Sequence, residues 1–214
     1  MSAQFLDDEA RAAFQQAVES IEGATAIEVV IAVRRRSASY LHANVIVGAV
    51  VAFAALAVML FSPYEFGLLS ILVDPFVVGL GSGALVELLP ALKRVLTPSG
   101  RRHRQVARAA RATFVERGVH NTRDRSGLLV YISWLEQRVA LVTDSGLDRM
   151  LPPTTVAAAE ALLTTAMASG GTAVARALAE LGSKIDGLPR RHDDVNELPD
   201  SIDSDLARAD RAPR

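Results

Sequence analysis

The stretch from Gly127 to Thr143, GLLVYISWLEQRVALVT, decides the fold. Its first part, Gly127 to Trp134, is a nearly continuous apolar run of strand length, and a second run, Arg138 to Thr143, follows a short polar turn at Glu136 and Gln137. Two such runs joined so closely read as a β-hairpin. Upstream, Ile27, Val29, Ile31 and Val33 alternate with Glu28, Val30, Ala32 and Arg34, the period-two pattern of a strand with one thoroughly apolar face. Before that strand, Phe14, Ala17, Val18 and Ile21 recur at helical spacing behind Asp7, Asp8 and Glu9, which suit a helix N-terminus, and Gly23 offers a stop. Val106, Ala110, Thr113, Phe114 and Arg117 define a further helix face ending at Gly118. Pro152 and Pro153 open an alanine-rich helix to Ala168; Gly170 and Gly171 break it, and residues 172–185 form another. A right-handed crossover sets the first two strands parallel and the third antiparallel. The expected fold is α/β, a small mixed sheet flanked by helices in a three-layer sandwich, interrupted by a two-helix transmembrane hairpin.

The interruption is visible in composition. The chain is 214 residues long and 50% apolar, with a mean hydropathy of +0.24. Residues 37–64 contain no Asp, Glu, Lys or Arg, and Val45 to Phe61 reads VIVGAVVAFAALAVMLF. About 20 such residues cross a bilayer. A second apolar stretch, Phe66 to Leu92, holds only Asp74 and Glu87 as charges and is closed by Lys93 and Arg94. The spans are expected at about 44–62 and 67–89. Arg34, Arg35 and Arg36 precede the first, while Lys93, Arg94, Arg101, Arg102 and Arg104 follow the second, and the connecting loop carries Glu65. The positive-inside bias makes this a multi-pass protein of the inner (plasma) membrane with both termini cytoplasmic. The opening MSAQFLDDEARAAFQQAVES is acidic and amphipathic and does not read as a signal peptide.

The resulting organisation is residues 1–36, first helix and strand; 37–96, membrane hairpin; 97–188, remainder of the α/β domain; and 189–214, a charged tail expected to be mostly disordered. Within the spans, Gly48 and Ala52 on one helix, and Gly79 and Gly83 on the other, have the four-residue spacing that lets backbones approach. They serve internal hairpin packing or, through Gly79 and Gly83, a homodimer. Asp74 and Glu87 are either functional acids within the membrane or residues near its two interfaces.

Several chemistries are excluded. With no cysteine there is no disulfide, thiolate metal site or catalytic thiol. Twenty-three basic against 24 acidic side chains leave no global field for nucleic acid. His42, His103, His120 and His192 lack zinc-motif spacing, and Gly79, Gly81 and Gly83 lie inside a span rather than in a phosphate loop.

What remains divides between the two edges of the sheet. A first strand leading into the bilayer turns its carboxyl end, and that of its parallel neighbour, toward the membrane. Arg34, Arg35, Arg36, Trp134 and Leu135 should line that edge, a basic rim with an amphipathic indole suited to anionic headgroups and membrane lipid. Glu28, Asp124, Asp144, Ser145 and Asp148 fall at the opposite edge. Their oxygens suit Ca²⁺ or Mg²⁺, and such a metal would polarise a phosphate and activate water. Alternatively, Asp124 forms a turn, Asp144 and Ser145 cap a helical turn, and Glu28 faces solvent. Arg101, Arg102, His103, Arg104, Arg108 and Arg111 either dock their helix on anionic lipid or form a solvated juxtamembrane face.

In its helix and strand up to Val33, in Thr113 to Leu151 and in the ending LPRRHDDVNELPD, the chain resembles the TPM-domain family of thylakoid acid phosphatase and photosystem-repair-like proteins, which also occurs in bacterial membrane proteins. Asp124, Gly127, Leu128 and Leu129 are similar to that family's Asn/Asp-Gly-Val-Leu-Leu segment, and residues 142–147 to its strand and glycine turn. The resemblance implies a compact α/β domain that serves as an acid phosphatase in some members and as a metal-binding or protein-interaction module in others. Two functions are therefore expected: a cytoplasmic binding or assembly module for a membrane protein partner, or a metal-dependent phosphatase. The exported domains of many relatives contrast with the cytosolic placement expected here.

Overall fold

The computed structural model describes residues 5–182, 198 and 201–206. These form two compact bodies, an α/β body drawn from residues 1–37 and 103–214 and a helical hairpin body of residues 38–102.

The α/β body opens with α1 (Asp8–Ala24). Asp7 caps it, its Oδ1 accepting from the Ala10 N–H at 2.8 Å. The helix runs one residue past Gly23, and the Thr25 hydroxyl donates to the Ile21 carbonyl at 2.7 Å, closing the last turn. Next, β1 (Glu28–Arg34) enters the sheet. Beyond the hairpin come α5 (Ser99–Glu116), β2 (Gly127–Ser133), β3 (Arg138–Thr143) and the single turn α6 (Ser145–Asp148). Then α7 (Pro153–Ala166) ends in a 3₁₀ turn, α8 (Gly171–Gly182) follows, and β4 (Asp203–Ser204) completes the set; the second and third helices and the fourth belong to the hairpin body. The sheet order is β3-β2-β1-β4. As expected from the crossover, β1 and β2 are parallel and β3 is antiparallel to β2.

Three layers result. Val29, Ile31 and Val33 of β1, with Leu128, Val130 and Ile132 of β2, pack on α1 and α8 through Phe14, Val18, Ile21, Val174 and Leu178. The alternate residues Val30, Ala32, Leu129 and Tyr131 pack on α5 through Val106, Ala110 and Phe114. Both faces of β1 are thus buried, including Glu28, so the expectations of one apolar face and of a solvent-facing Glu28 are corrected. A strand covered by helices on both sides reads as a continuous apolar run, which is what EVVIAV is.

Both sheet edges are protected. The Val139 and Leu141 N–H groups of β3 donate to Thr164 Oγ1 and Glu160 Oε1 of α7, at 3.1 and 2.8 Å. On the other side, the Val29 N–H donates to Glu22 Oε1 at 2.9 Å, and β4 pairs with Ala32 and Val33. Side chains and a two-residue strand therefore occupy backbone groups that would otherwise invite another chain.

Against the expectation of a mostly disordered tail, residues 201–206 hold the strand β4. Asp203 and Asp205 find cationic or N–H partners, and Leu206 is buried in the core, so local polarity hid an anchoring segment. The expectation for the rest of 189–214 lies outside the described residues, as does the end of the last helix expected to reach residue 185.

The hairpin body consists of α2 (Leu41–Phe61), α3 (Leu68–Leu85) with a 3₁₀ turn to Leu88, and α4 (Pro90–Leu96). Both long helices, Leu41–Phe61 and Leu68–Leu88, are long and apolar enough to cross a membrane. They meet through the small residues. A Cβ on Gly48 would stand 2.8 Å from the Gly79 carbonyl oxygen, one on Gly79 would stand 2.7 Å from the Gly48 oxygen, and one on Gly83 would stand 2.8 Å from the Asn44 oxygen. Internal packing is thus the use these glycines have, and a second copy would have to open the pair to reach Gly79 and Gly83. Glu87 ion-pairs with the buried Lys93 at 2.6 Å and accepts from Asn44 Nδ2 at 3.1 Å. Asp74 lies exposed, six residues or about 9 Å along the axis from the start of α3.

Candidate functional site

The carboxyl ends of the parallel strands carry the densest polar construction in the α/β body. Arg34 of β1 is in register with Ser133 of β2, and pairing continues past the strands, with Trp134 and Leu135 N–H groups donating to the Arg34 and Arg35 carbonyls at 2.9 and 3.0 Å. The turn between β2 and β3 then folds Glu136 back over the strand end, with Gln137 taking φ of 51° to close it. Glu136 is fully buried. Its Oε1 accepts the Ser37 N–H at 2.9 Å, and its other oxygen accepts the Ser133 hydroxyl.

These bonds fix the direction of a chain of hydroxyls. Ser133 spends its proton on Glu136, and Ser37 donates to Ser133 Oγ at 2.6 Å. The 3.2 Å contact between Ser37 Oγ and the Tyr131 phenol is therefore donated by Tyr131, since each hydroxyl has one proton. Three hydroxyls align head to tail and end on one carboxylate. Burial pushes the Tyr131 phenol above its ordinary pKa, so it stays a donor. The arrangement fastens Ser37, the first residue beyond the Arg34-Arg35-Arg36 run, to the sheet edge before the chain proceeds to α2.

Beside this chain sits a second polar knot. Asp203 of β4 ion-pairs with both Arg34 and Arg117, and Arg34 Nη1 also donates to the Asp203 carbonyl at 3.0 Å. Asp205 accepts the Arg35 N–H at 2.6 Å. Burial alone would depress the Arg34 pKa, but the Asp203 carboxylate, supported by Asp205, outweighs it and holds the guanidinium above its usual value.

The residues expected to form a membrane-facing rim have varied fates. Arg34 is drawn into the Asp203 pair, and Trp134 packs partly buried against the larger core, with Leu135 buried beside it. Arg35 and Arg36 remain exposed. The side chains of Arg34 and Trp134 thus belong to the body's own packing, because the tail segment and the hairpin turn close over that edge.

At the opposite edge, the four expected metal ligands take separate positions. Glu28 is buried, and its Oε2 accepts the Leu198 N–H at 3.3 Å. Asp144 caps α6, its Oδ1 accepting the Ser145 N–H at 2.6 Å, while its buried Oδ2 has Arg125 Nη1 4.0 Å away and no hydrogen bond. Asp148 accepts the Thr143 hydroxyl. Asp124 is exposed in the loop before β2, where Arg125 takes φ of 55° and packs its carbonyl, with that of Asp124, against Gly146. Register sets Glu28 opposite Gly127, and the Asp144 N–H bonds to the Gly127 carbonyl at 2.9 Å. Two strand spacings, about 10 Å, therefore separate the Glu28 and Asp144 backbones. Among the described residues no three His, Asp or Glu side chains converge as a metal cluster. The capping alternative for Asp144 and Ser145 accounts for the geometry here.

Sequence reasoning missed Ser37, Tyr131, Ser133 and Glu136 as a set. Ser37 is separated from the other three by the whole hairpin insertion. The available signal was a glutamate and two serines at the ends of apolar strands, where a buried carboxylate needs donors.

No protein-family model matches the chain, and no curated protein does. Among solved structures, it is similar to the BA42 protein of the psychrophilic bacterium Bizionia argentinensis, with a TM-score of 0.55 and 14% identity over 94% of this chain and 95% of that one. At that identity the likeness is one of fold.

Proposed function

We propose that this chain is an integral membrane protein of the inner-membrane type, whose cytoplasmic TPM-like α/β domain is a binding or assembly module for a membrane partner. The observation that carries this reading is the exterior of the hairpin. Phe53, Phe61, Leu68 and Leu80 are 74 to 88% exposed on helices whose glycines already satisfy each other. Surface of that kind is stable in lipid and aggregates in water. Its flanks are basic and its loop acidic, which favours cytoplasmic termini. A binding role is favoured over turnover because the hydroxyl chain ends in a closed, fully buried carboxylate, and because Glu28, Asp144 and Asp148 at the far edge are engaged by a backbone N–H, a helix cap and the Thr143 hydroxyl.

The absence of cysteine makes the test direct. Tyr64→Cys, in the interhelical loop, should react with an impermeant maleimide on intact cells, whereas Ser169→Cys should react only after permeabilisation. Equal reactivity at both positions, or release of the protein from membranes by carbonate, would overturn the reading. Cross-linking from intact membranes should capture a discrete partner. Hydrolysis of a generic phosphomonoester with Mg²⁺ or Ca²⁺, lost in Asp144→Asn, would replace the module with the phosphatase.

A further inference from the structure

The helix α5 carries three arginines on its outward face. At 100° per residue, Arg104, Arg108, Arg111 and Val115 fall within an arc of about 60° and extend about 16 Å along the axis. All four are exposed, while Val106, Ala110, Thr113 and Phe114 on the other side are buried. Arg34 and Arg117 are engaged by Asp203. Arg104, Arg108 and Arg111, in contrast, have no carboxylate partner among the described residues. Three guanidinium groups held in a row, with no acid paired to them among the described residues, form a linear cationic surface on a protein whose formal charge is −1.

We propose that this stripe is a binding site for anionic lipid headgroups, with Arg104, Arg108 and Arg111 contacting phosphates and Val115 entering the interfacial layer. The inference rests on the membrane reading above. Charge complementarity selects an anion, and covalent connection selects which one. Only residues 89–103 separate the end of the second apolar helix from Arg104, so the chain tethers the stripe to a bilayer holding that helix. Tethering raises the effective concentration of headgroups at no cost in further contacts. Arginine suits the task because its planar fork bonds phosphate oxygens two at a time. Nucleic acid would need a free approach and a wider basic field, which the balanced charge does not supply.

The full chain, reconstituted in nanodiscs, tests this. An environment-sensitive dye on Ala112→Cys, beside the stripe, reports docking through quenching by headgroup-labelled lipid. Quenching should be stronger in phosphatidylcholine with added phosphatidylglycerol than in phosphatidylcholine alone, and should fall in high salt. Each Arg→Gln substitution at 104, 108 or 111 should lower the docked-to-undocked ratio about 5-fold, and the triple variant about 100-fold. Quenching that ignores phosphatidylglycerol and salt, or persists in the triple variant, would overturn the proposal. So would binding of an RNA oligonucleotide to the stripe in phosphatidylcholine discs with indifference to phosphatidylglycerol. Failure of the chain to enter nanodiscs at all would instead count against the membrane reading, so the two are separable.

Discussion

Replacing Glu136 by alanine should be among the most damaging single changes in the α/β body. The carboxylate is fully buried and accepts the Ser37 N–H and the Ser133 hydroxyl. Alanine would orphan both donors, and each unsatisfied buried group costs about 1–3 kcal/mol, for a loss of about 2–6 kcal/mol before any cavity is counted. Against a typical stability of about 5–15 kcal/mol, that is enough to unfold a sizeable fraction of the molecules. Glutamine has the same shape and can still accept the Ser37 N–H, while the Ser133 hydroxyl can rotate to accept from the new amide. Glu136→Gln should therefore cost about 1–2 kcal/mol. The protein contains one tryptophan, Trp134, adjacent to Ser133 and packed against the core, which makes its fluorescence a local probe of this edge. Denaturant titration of the full chain in detergent, followed at that signal, gives both differences. A loss under about 0.5 kcal/mol for alanine, or equal losses for alanine and glutamine, would refute the view that Glu136 terminates a directed hydroxyl chain.

Other consequences follow from the same contacts. Burial holds the Tyr131 pKa above its unfolded value, so its contribution to stability is complete below about pH 10 and disappears as pH rises through the folded-state pKa; stability measured against pH should fall in that alkaline range, and the fall should be shallower in Tyr131→Phe. Gly182→Ala should cost about 1–3 kcal/mol in thermal unfolding, because its Cβ would collide with Ile21 and push α8 from α1. Gly79→Val should splay the hairpin, since even a Cβ meets Gly48 and Ala52 within 2.8 Å; a disulfide between cysteines placed on facing positions of α2 and α3 should then form more slowly than in the parent. Asp203→Asn should weaken the anchoring of β4 by about 1–2 kcal/mol, less than for a fully buried pair because both side chains are about one-fifth exposed, and proteolysis of the tail should accelerate. High salt should reproduce part of that effect in the parent and little of it in the variant.

How much was legible beforehand depends on whether the deciding contacts are local. The runs GLLVYIS and RVALVT, joined by one turn, carried their own pairing, and the crossover rule supplied the parallel partner of EVVIAVR. The two long apolar helices were legible because each is a run of about 20 apolar residues, the first free of charge and the second holding only Asp74 and Glu87, the length that a bilayer crossing needs. Their glycine spacing was equally readable, although only the packed helices show that the two small faces meet each other. The expected metal set failed to converge for a simple reason. Position at one edge of a sheet does not bring side chains together when a strand lies between them, as Gly127 lies between Glu28 and Asp144.

The sequence by itself determined the elements, their order, the apolar insertion and the mixed character of the sheet, because periodicity and hydrophobicity act over short windows. Tertiary structure alone decided which polar groups are spent and which are left over. It joined Ser37 to Glu136 across 99 positions and Arg34 to Asp203 across 169, and it left Arg104, Arg108 and Arg111 facing outward. Burial makes that decision, since a charge or hydroxyl removed from water must find a partner wherever the folded chain provides one, however far away it lies in sequence.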